Sequence, residues 1–412
     1  MNTQTNKQLE ADIALLDKLL GVEARKPGKA AALPAAIRVI ENLEPTGGKD
    51  IPVFPASYAG ANEFPVYDLG GVEYDKGENG KVETDAIRVK GSIKQAPRIK
   101  RAMFCAIDSP QSQANRMEPA FLEDEDLRIL VPQATAVIPK RENDTVSVLT
   151  LPHRVADFRI RLSDRAADVK LAISAFAKGD ALPLLKVFPT SLLFGFWDSR
   201  SEDEVGVKHA RILLSRIDAH KVVPCRRNVL YSGPYSKDEF SEVILGGEPI
   251  EDKKLSGAGF TSALSDGLGG VLVEGKIERI SVLSLSDIAR INCGNPHNPD
   301  QTNAARRYLF ALAALAEGYE RSKGSHRLRS GCELISVGKP KLEYRGTQPV
   351  DAEALTNLYH NRERLISVAK EGRDILGISK PTEYTVTTET LKGVAKPNTT
   401  EKRKTTRSKA KK

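Results

Sequence analysis

The chain has 412 residues, 40% of them hydrophobic and 28% charged, which is enough to bury a sizeable core and, at roughly 150 residues per domain, to form two or three structural units. No apolar run approaches the ~20 residues of a membrane span, and residues 1–10 are mostly polar, with Lys7 and Glu10 as their charged side chains and no apolar signal core behind them, so a cytoplasmic protein is expected. The formal net charge of +8 sits almost wholly in the tail: residues 402–412 hold seven basic and no acidic side chains, which leaves +1 (8 less 7) for everything before them.

In chain order, residues 8–20 place Leu9, Ile13, Leu16, Leu19 and Leu20 on one side and acidic groups on the other, an amphipathic helix. Residues 35–43 read as a strand. Pro45, Gly47 and Gly48 follow, then a Pro- and Gly-rich stretch to about residue 80 with few helix or strand signals, the mark of a functional insertion or a loop. Residues 102–107 are short and apolar, and Ser109-Pro110 gives a helix start ahead of Ala114, Met117 and Phe121. Two β-prone runs, 136–138 and 145–151, surround Asn143-Asp144 as in a hairpin. Residues 184–197 form an apolar block expected in the core, and Trp197-Asp198-Ser199 reads as the end of a buried element with a polar cap.

Residues 221–270 shift to Gly, Ser, charge and Tyr without strong periodicity and are expected to be a second, exposed insertion. Beyond them, 271–285 alternate, 303–321 form a helix with Tyr308, Leu309, Leu312 and Leu315 inward, 332–337 form a strand and 352–376 a further helix. Strands and helices mix without a regular βαβ period and no internal repeat is visible. The expected class is therefore α+β, with one antiparallel sheet and two long insertions.

Several chemistries find little support. Cys105, Cys225, Cys293 and Cys332 stand alone, with no CxxC pair and no His at a zinc-ligand spacing, so no metal site or disulfide framework is expected and buried hydrophobes are the plain reading. Gly270–Lys276, GVLVEGK, satisfies GxxxxGK, but Ile277 stands where a phosphate-binding loop needs Ser or Thr for magnesium, and Val271-Leu272-Val273 favours a strand. His153, His209, His220, His297, His326 and His360 are scattered, with no acid–base partner evident by spacing.

Residues 108–116, DSPQSQANR, differ in kind. They gather amides, hydroxyls and one Arg into the first turns of a helix, where free backbone N–H groups favour phosphate. Ser109, Gln111, Ser112, Gln113 and Asn115 can hydrogen-bond phosphate, ribose or base, and Arg116 can grip a phosphate in a fork. A capped helix with an exposed polar face is the other reading, and the residues alone leave both open. Further basic groups cluster at Arg98, Lys100 and Arg101; Arg154, Arg159 and Arg161; Arg211 and Arg216; Arg226 and Arg227; and Arg306 and Arg307. If extended, Arg159 and Arg161 share one face. With Tyr231 and Tyr235, these clusters suit a single-strand binding surface.

Four motifs in order carry a resemblance: Asp108-Ser109-x-Gln111-Ser112-Gln113-Ala114-Asn115-Arg116-Met117-Glu118; His153-Arg154-Val155-Ala156-Asp157; Leu193-Phe194-Gly195-x-Trp197-Asp198-Ser199; and Gly269-Gly270-Val271 with Gly275 and Leu283-x-Leu285. Together they resemble the RAMP backbone protein of type I-G (formerly I-U) CRISPR interference complexes, over roughly residues 35–334. The resemblance implies an RRM-like, ferredoxin-type palm at 35–340, with a finger-like insertion near 44–97 and a thumb-like hairpin near 221–270; it matches no thumb residue individually, and Tyr231 and Lys237 are picked there from the sequence itself. Outside it would lie an N-terminal helix at 1–34, a helical segment at 341–390 and a basic tail at 391–412.

It also implies a non-catalytic protein without cofactor or metal, whose partners are CRISPR RNA, target DNA through the guide, further copies of itself in a helical filament and other Cascade subunits, with no membrane. Taken from the motifs and the basic clusters together, the candidate RNA-binding residues are Ser109, Gln111, Ser112, Gln113, Asn115, Arg116, His153, Arg154, Arg159, Arg161, Arg226, Arg227 and Tyr231. Sequence readout would fall to base pairing while the protein holds the RNA backbone. Two other readings are a RAMP-type ribonuclease acting on guide precursor or target RNA through His153 or Asp157, and a scaffold whose tail binds nucleic acid non-specifically.

Overall fold

The structure, a computed structural model, describes residues 3–20, 35–59, 65–89, 92–137, 145–199, 206–231, 263–347, 349–378 and 382–386. Its main sheet comprises β1 (Ala36–Pro45), β2 (Leu69–Tyr74), β3 (Ile99–Asp108), β4 (Leu213–Tyr231), β5 (Ala263–Val273), β6 (Ile277–Ser284), β7 (His326–Arg329), β8 (Cys332–Ser336) and β9 (Lys341–Arg345). The order across it is β7-β8-β1-β6-β4-β3-β2, with β9 beside β1 and β5 beside β4, and all pairings are antiparallel. The longer helices are α1 (Thr3–Leu19), α2 (Pro110–Met117), α3 (Ala166–Ala177), α4 (Pro299–Ser322), α5 (Ala352–Tyr359) and α6 (Arg362–Leu376).

Two interleaved crossovers define the topology. The chain passes from β1 through α2 and α3 to β4, then from β6 through α4 to β8, so β6 separates β1 from β4 and β1 separates β6 from β8. This is the split βαβ arrangement of ferredoxin-like and RRM-like sheets, as the α+β expectation required. Alternation explains which face the helices cover: Ile37, Val39 and Leu43 of β1 are buried, and their partners Leu283 and Ile277 on β6 and Leu213 and Ala219 on β4 point the same way.

A polar row crosses that inward face between two apolar clusters. Arg279, fully buried, donates to Glu41 at 3.0 Å and to Gln113 Oε1 and Ser215 Oγ, each at 3.2 Å, and lies 3.2 Å from the Glu317 carboxylate. His326 Nε2 lies 3.2 Å from Glu41. Burial pushes the Glu41 carboxyl up, but the His326 hydrogen bond, the Arg279 and His326 charges and the Ser336 hydroxyl outweigh it and hold the group at about 2.

The segments expected outside the palm are packed into it. β9 pairs with β1. Arg307 of α4 binds Asp17 of α1 at 2.7 Å and Glu371 of α6 at 2.9 Å. Gly372 lets α6 approach α4, since a Cβ there would lie 2.7 Å from Tyr308 Cβ. The helix expected over 352–376 is two helices, because Asn361 accepts from Arg364 N at 3.1 Å and caps a new one. The basic tail lies outside the described residues. Among those described, no helix is long and apolar enough to cross a membrane.

Both expected insertions contain strands. The first holds short pairs at Ser57–Ala59 with Pro65–Tyr67 and at Thr84–Val89 with Ser92–Pro97. In the second, β4 pairs with β6 over 213–219 and with β3 over 217–222, and from Val223 to Tyr231 its partners are all in β5. The two strands thus leave the sheet as a ribbon. The expected hairpin over 136–151 is present as Ala134–Val137 with Thr145–Ser147, joined by Thr382–Thr385 in parallel.

Candidate nucleic-acid interface

β3 delivers its chain to the start of α2, where Ser109 is the N-cap, its hydroxyl accepting from Ser112 N at 3.3 Å, and Pro110 opens the helix. Asp108, its side chain fully buried, anchors the helix from beneath. Its carboxylate accepts from Gln113 Nε2 at 2.8 Å, Arg116 Nε at 3.1 Å and Arg329 Nη2 at 3.1 Å. Arg116 also donates to Leu328 O at 2.8 Å, and Gln113 Oε1 accepts from Ser215 and Arg279.

Gln113 and Arg116, expected to meet RNA, are therefore turned into the protein, where they tie α2 to β3, β4, β6 and β7. Ser112 is half-buried, and Gln111 and Asn115, four residues apart on one helix face, are exposed. The physical reason is the unpaired carboxylate that Asp108 would otherwise bury: it demands donors, and Gln113 and Arg116 supply two of its three, with Arg329 the third.

The second and third motifs meet. Arg154 is buried with φ 51°, in the left-handed region, and its guanidinium reaches Glu118 at 2.8 Å and Gly195 O at 3.4 Å. Burial pushes the Glu118 carboxyl up, against the pull of Arg154 and Thr190. Val155 N donates to Ser191 Oγ at 3.3 Å, and Arg161 pairs with Asp198 at 2.5 Å. Gly195 adopts φ 79°, and a Cβ there would stand 3.0 Å from His209 O. Arg154 is thus a packing residue and not a surface grip. Phe158–Arg161 is a helical turn capped by Asp157, so Arg159 and Arg161 do not share an extended face.

What this region does expose is His153, Phe158 and, at 62%, Trp197, with Lys208 Nζ 4.5 Å from the indole centroid. Trp197 was expected at a buried end. It lies on a two-stranded ribbon, Phe196–Asp198 with Val207–His209, where alternation turns Phe196 inward and Trp197 out. That period-two signal was present in the sequence but hidden in a continuous apolar run.

On the β4–β5 ribbon, Arg226 lies 3.2 Å from Asp85 and 3.3 Å from Pro97 O, joining the ribbon to the 84–97 hairpin. Arg227 and Tyr231 occupy β4 opposite Gly267 and Ala263; their side chains, with Tyr235 and Lys237, lie outside the described residues. Gly270–Lys276 is the end of β5 and the turn into β6, with Glu274 N donating to Lys221 O at 2.9 Å. The remaining Arg clusters are largely satisfied within the chain: Arg98 by Glu83 and Asp85, Arg101 by Glu73, Arg216 by Asp218, Arg306 by Ile291 O.

Burial pushes the Cys105 and Cys293 thiols up to about 12 and Cys332 to about 11, the behaviour of packed hydrophobes. Among the described residues, no three His, Cys, Asp or Glu side chains gather where they could hold a metal ion.

Residues 37–224 match the family described as CRISPR-associated protein GSU0053. No curated protein matches the chain. The match begins in β1, runs through α2 and the joined motifs around Arg154 and Trp197, and ends where β4 enters the ribbon. Residues 37–224 are 188 of the 412 residues, so the likeness to CRISPR-associated protein GSU0053 covers a little under half of the chain.

Proposed function

We propose that the chain is the non-catalytic, guide-RNA-binding backbone subunit of a type I-G interference complex, and that several copies line up along one spacer and present it for pairing with target DNA. The observation that carries this reading is the ribbon: β4 and β5 continue past the RRM-like sheet as a projecting pair whose arms bear Arg226, Arg227 and Tyr231. A palm with a projecting ribbon is a shape that can grip a single strand and interrupt it at an interval. The exposed amides of Gln111 and Asn115, His153 and the Trp197–Lys208 pair supply hydrogen bonds, stacking and charge, in keeping with readout delegated to the guide.

The test is RNA content. Protein purified from cells that transcribe a CRISPR array carries RNA of one discrete length. A ribbon truncation that replaces residues 226–268 by a short turn loses it while the palm stays folded; a truncated protein that keeps the same RNA would refute the reading. Incubation with labelled precursor and target RNA leaves both intact. Turnover abolished by His153→Ala would overturn the non-catalytic part.

A further inference from the structure

The short ribbon of Phe196–Asp198 with Val207–His209 is joined to β4 by residues 210–212, and Arg211 stands in that join. Ile212 N donates to Leu193 O at 3.0 Å, which fixes the join against the motif Leu193-Phe194-Gly195. Gly195, at φ 79°, lets the Arg211 side chain lie along it: a Cβ at Gly195 would stand 3.1 Å from Arg211 Cγ. The Gly195 carbonyl also accepts from Arg154 Nη1 at 3.4 Å. One glycine thus brings two arginine side chains together.

The two differ in what answers their charge. Arg154 reaches Glu118 at 2.8 Å. Arg211 is half-buried, and among the described residues no hydrogen bond or ion pair engages it. Its Nε is buried without a partner. Burial, and after it the Arg154 charge, pushes the Arg211 guanidinium below its usual pKa range. Water answers an exposed cation such as Arg128 or Arg327, whereas a half-buried cation beside a second one carries a cost that an oxyanion would remove. A phosphodiester fits, with one negative charge and two free oxygens for the guanidinium fork. Its place in the chain fits as well: the join runs from Lys208, which lies over Trp197, into the strand that continues to Arg226 and Arg227.

We infer that Arg211 grips a phosphodiester of the bound guide RNA through its two Nη atoms. The inference rests on guide binding as proposed above and adds to it a contact that neither the α2 N-terminus nor the β4–β5 ribbon supplies. Arg154 does not touch the RNA; its fixed charge raises the local positive potential.

The experiment is a salt titration of RNA affinity for wild type, Arg211→Met and Arg211→Lys, read by fluorescence anisotropy with the full-length protein freed of RNA and a short labelled single-stranded RNA. Arg211→Met binds roughly tenfold more weakly, to a similar degree for unrelated RNA sequences. Its slope of log affinity against log salt is shallower by about 0.7, the share of one single-strand phosphate. Arg211→Lys keeps the slope and loses part of the affinity, because an ammonium holds the charge without the fork. The denaturation midpoint of Arg211→Met is not below that of wild type, since the guanidinium it removes had no partner. A midpoint that falls while the slope stays unchanged makes Arg211 a packing residue and overturns the inference. Unchanged affinity and slope overturn it too, and leave guide binding standing; wild-type protein that binds no RNA overturns guide binding and this contact with it. If Arg211→Met leaves affinity for the short RNA intact and lowers only the number of copies on a longer one, counted by light scattering, the anion is a carboxylate of a neighbouring copy and the phosphate assignment is wrong.

Discussion

Arg116→Ala separates a structural latch from an RNA grip. In the folded protein the Arg116 guanidinium gives one charge-assisted bond to Asp108, whose side chain is wholly buried, and one at 2.8 Å to Leu328 O; a weaker contact reaches Arg327 O at 3.4 Å. Removing one partner of a buried ion pair costs about 3–5 kcal/mol. Two features reduce that figure here. Asp108 keeps Arg329 and Gln113, and the Arg116 side chain is 27% exposed, so solvent screens part of the attraction. A loss of about 2 kcal/mol is expected, with a further contribution from the unanswered Leu328 carbonyl. Arg116→Lys recovers only part, since a single ammonium cannot serve both acceptors in the planar geometry Arg uses. Equilibrium urea denaturation followed by circular dichroism measures the loss, with Gln111→Ala and Asn115→Ala as neighbours on the exposed face that shift stability by less than about 0.5 kcal/mol. The reasoning fails if Arg116→Ala matches the wild-type midpoint while RNA affinity falls, because Arg116 would then be free to bind RNA.

Arg154→Met strands Glu118 and destabilises by about 3–5 kcal/mol, and Glu118→Gln added to it recovers much of that; the double-mutant cycle measures the coupling. Glu41 has a folded-state pKa of about 2, below its ordinary 4.5, so its contribution is present above pH 4.5 and is lost as pH falls towards 2. It amounts to on the order of 3 kcal/mol. The stability gap between wild type and Glu41→Gln therefore narrows through that window in acid denaturation, and a constant gap would count against the buried network. Trp197 is the sole tryptophan and is largely exposed, so its fluorescence has a solvent-exposed maximum that guide RNA quenches, while Trp197→Ala changes stability by less than about 1 kcal/mol.

Local signals made the palm readable. β1, α2, α4 and β8 follow from alternation, the Ser109-Pro110 start and the periodicity of Tyr308, Leu309, Leu312 and Leu315, because each buries one apolar face. The ribbon was opaque because a two-stranded element projecting from a sheet has little core to record: β4 reads through Pro224, Cys225 and Arg226 with a register shift and no hydrophobic alternation. The site was legible in composition but not in direction. Gln113, Arg116 and Arg154 look like RNA ligands in sequence, and only tertiary placement shows that Asp108 and Glu118 claim them. Trp197 errs the opposite way, as an apolar letter on an outward face. The charge arithmetic anticipated this outcome: a core with +1 net charge has few unpaired cations to spare.

The most direct test of the central claim compares the RNA content of the full chain with that of a chain ending at residue 386, both purified from cells expressing a CRISPR array. The account predicts RNA of one discrete length in both, since under the proposed function palm and ribbon hold the guide and the basic tail adds only non-specific phosphate contact. RNA that disappears with the tail, or that is heterogeneous in length in both preparations, would contradict it.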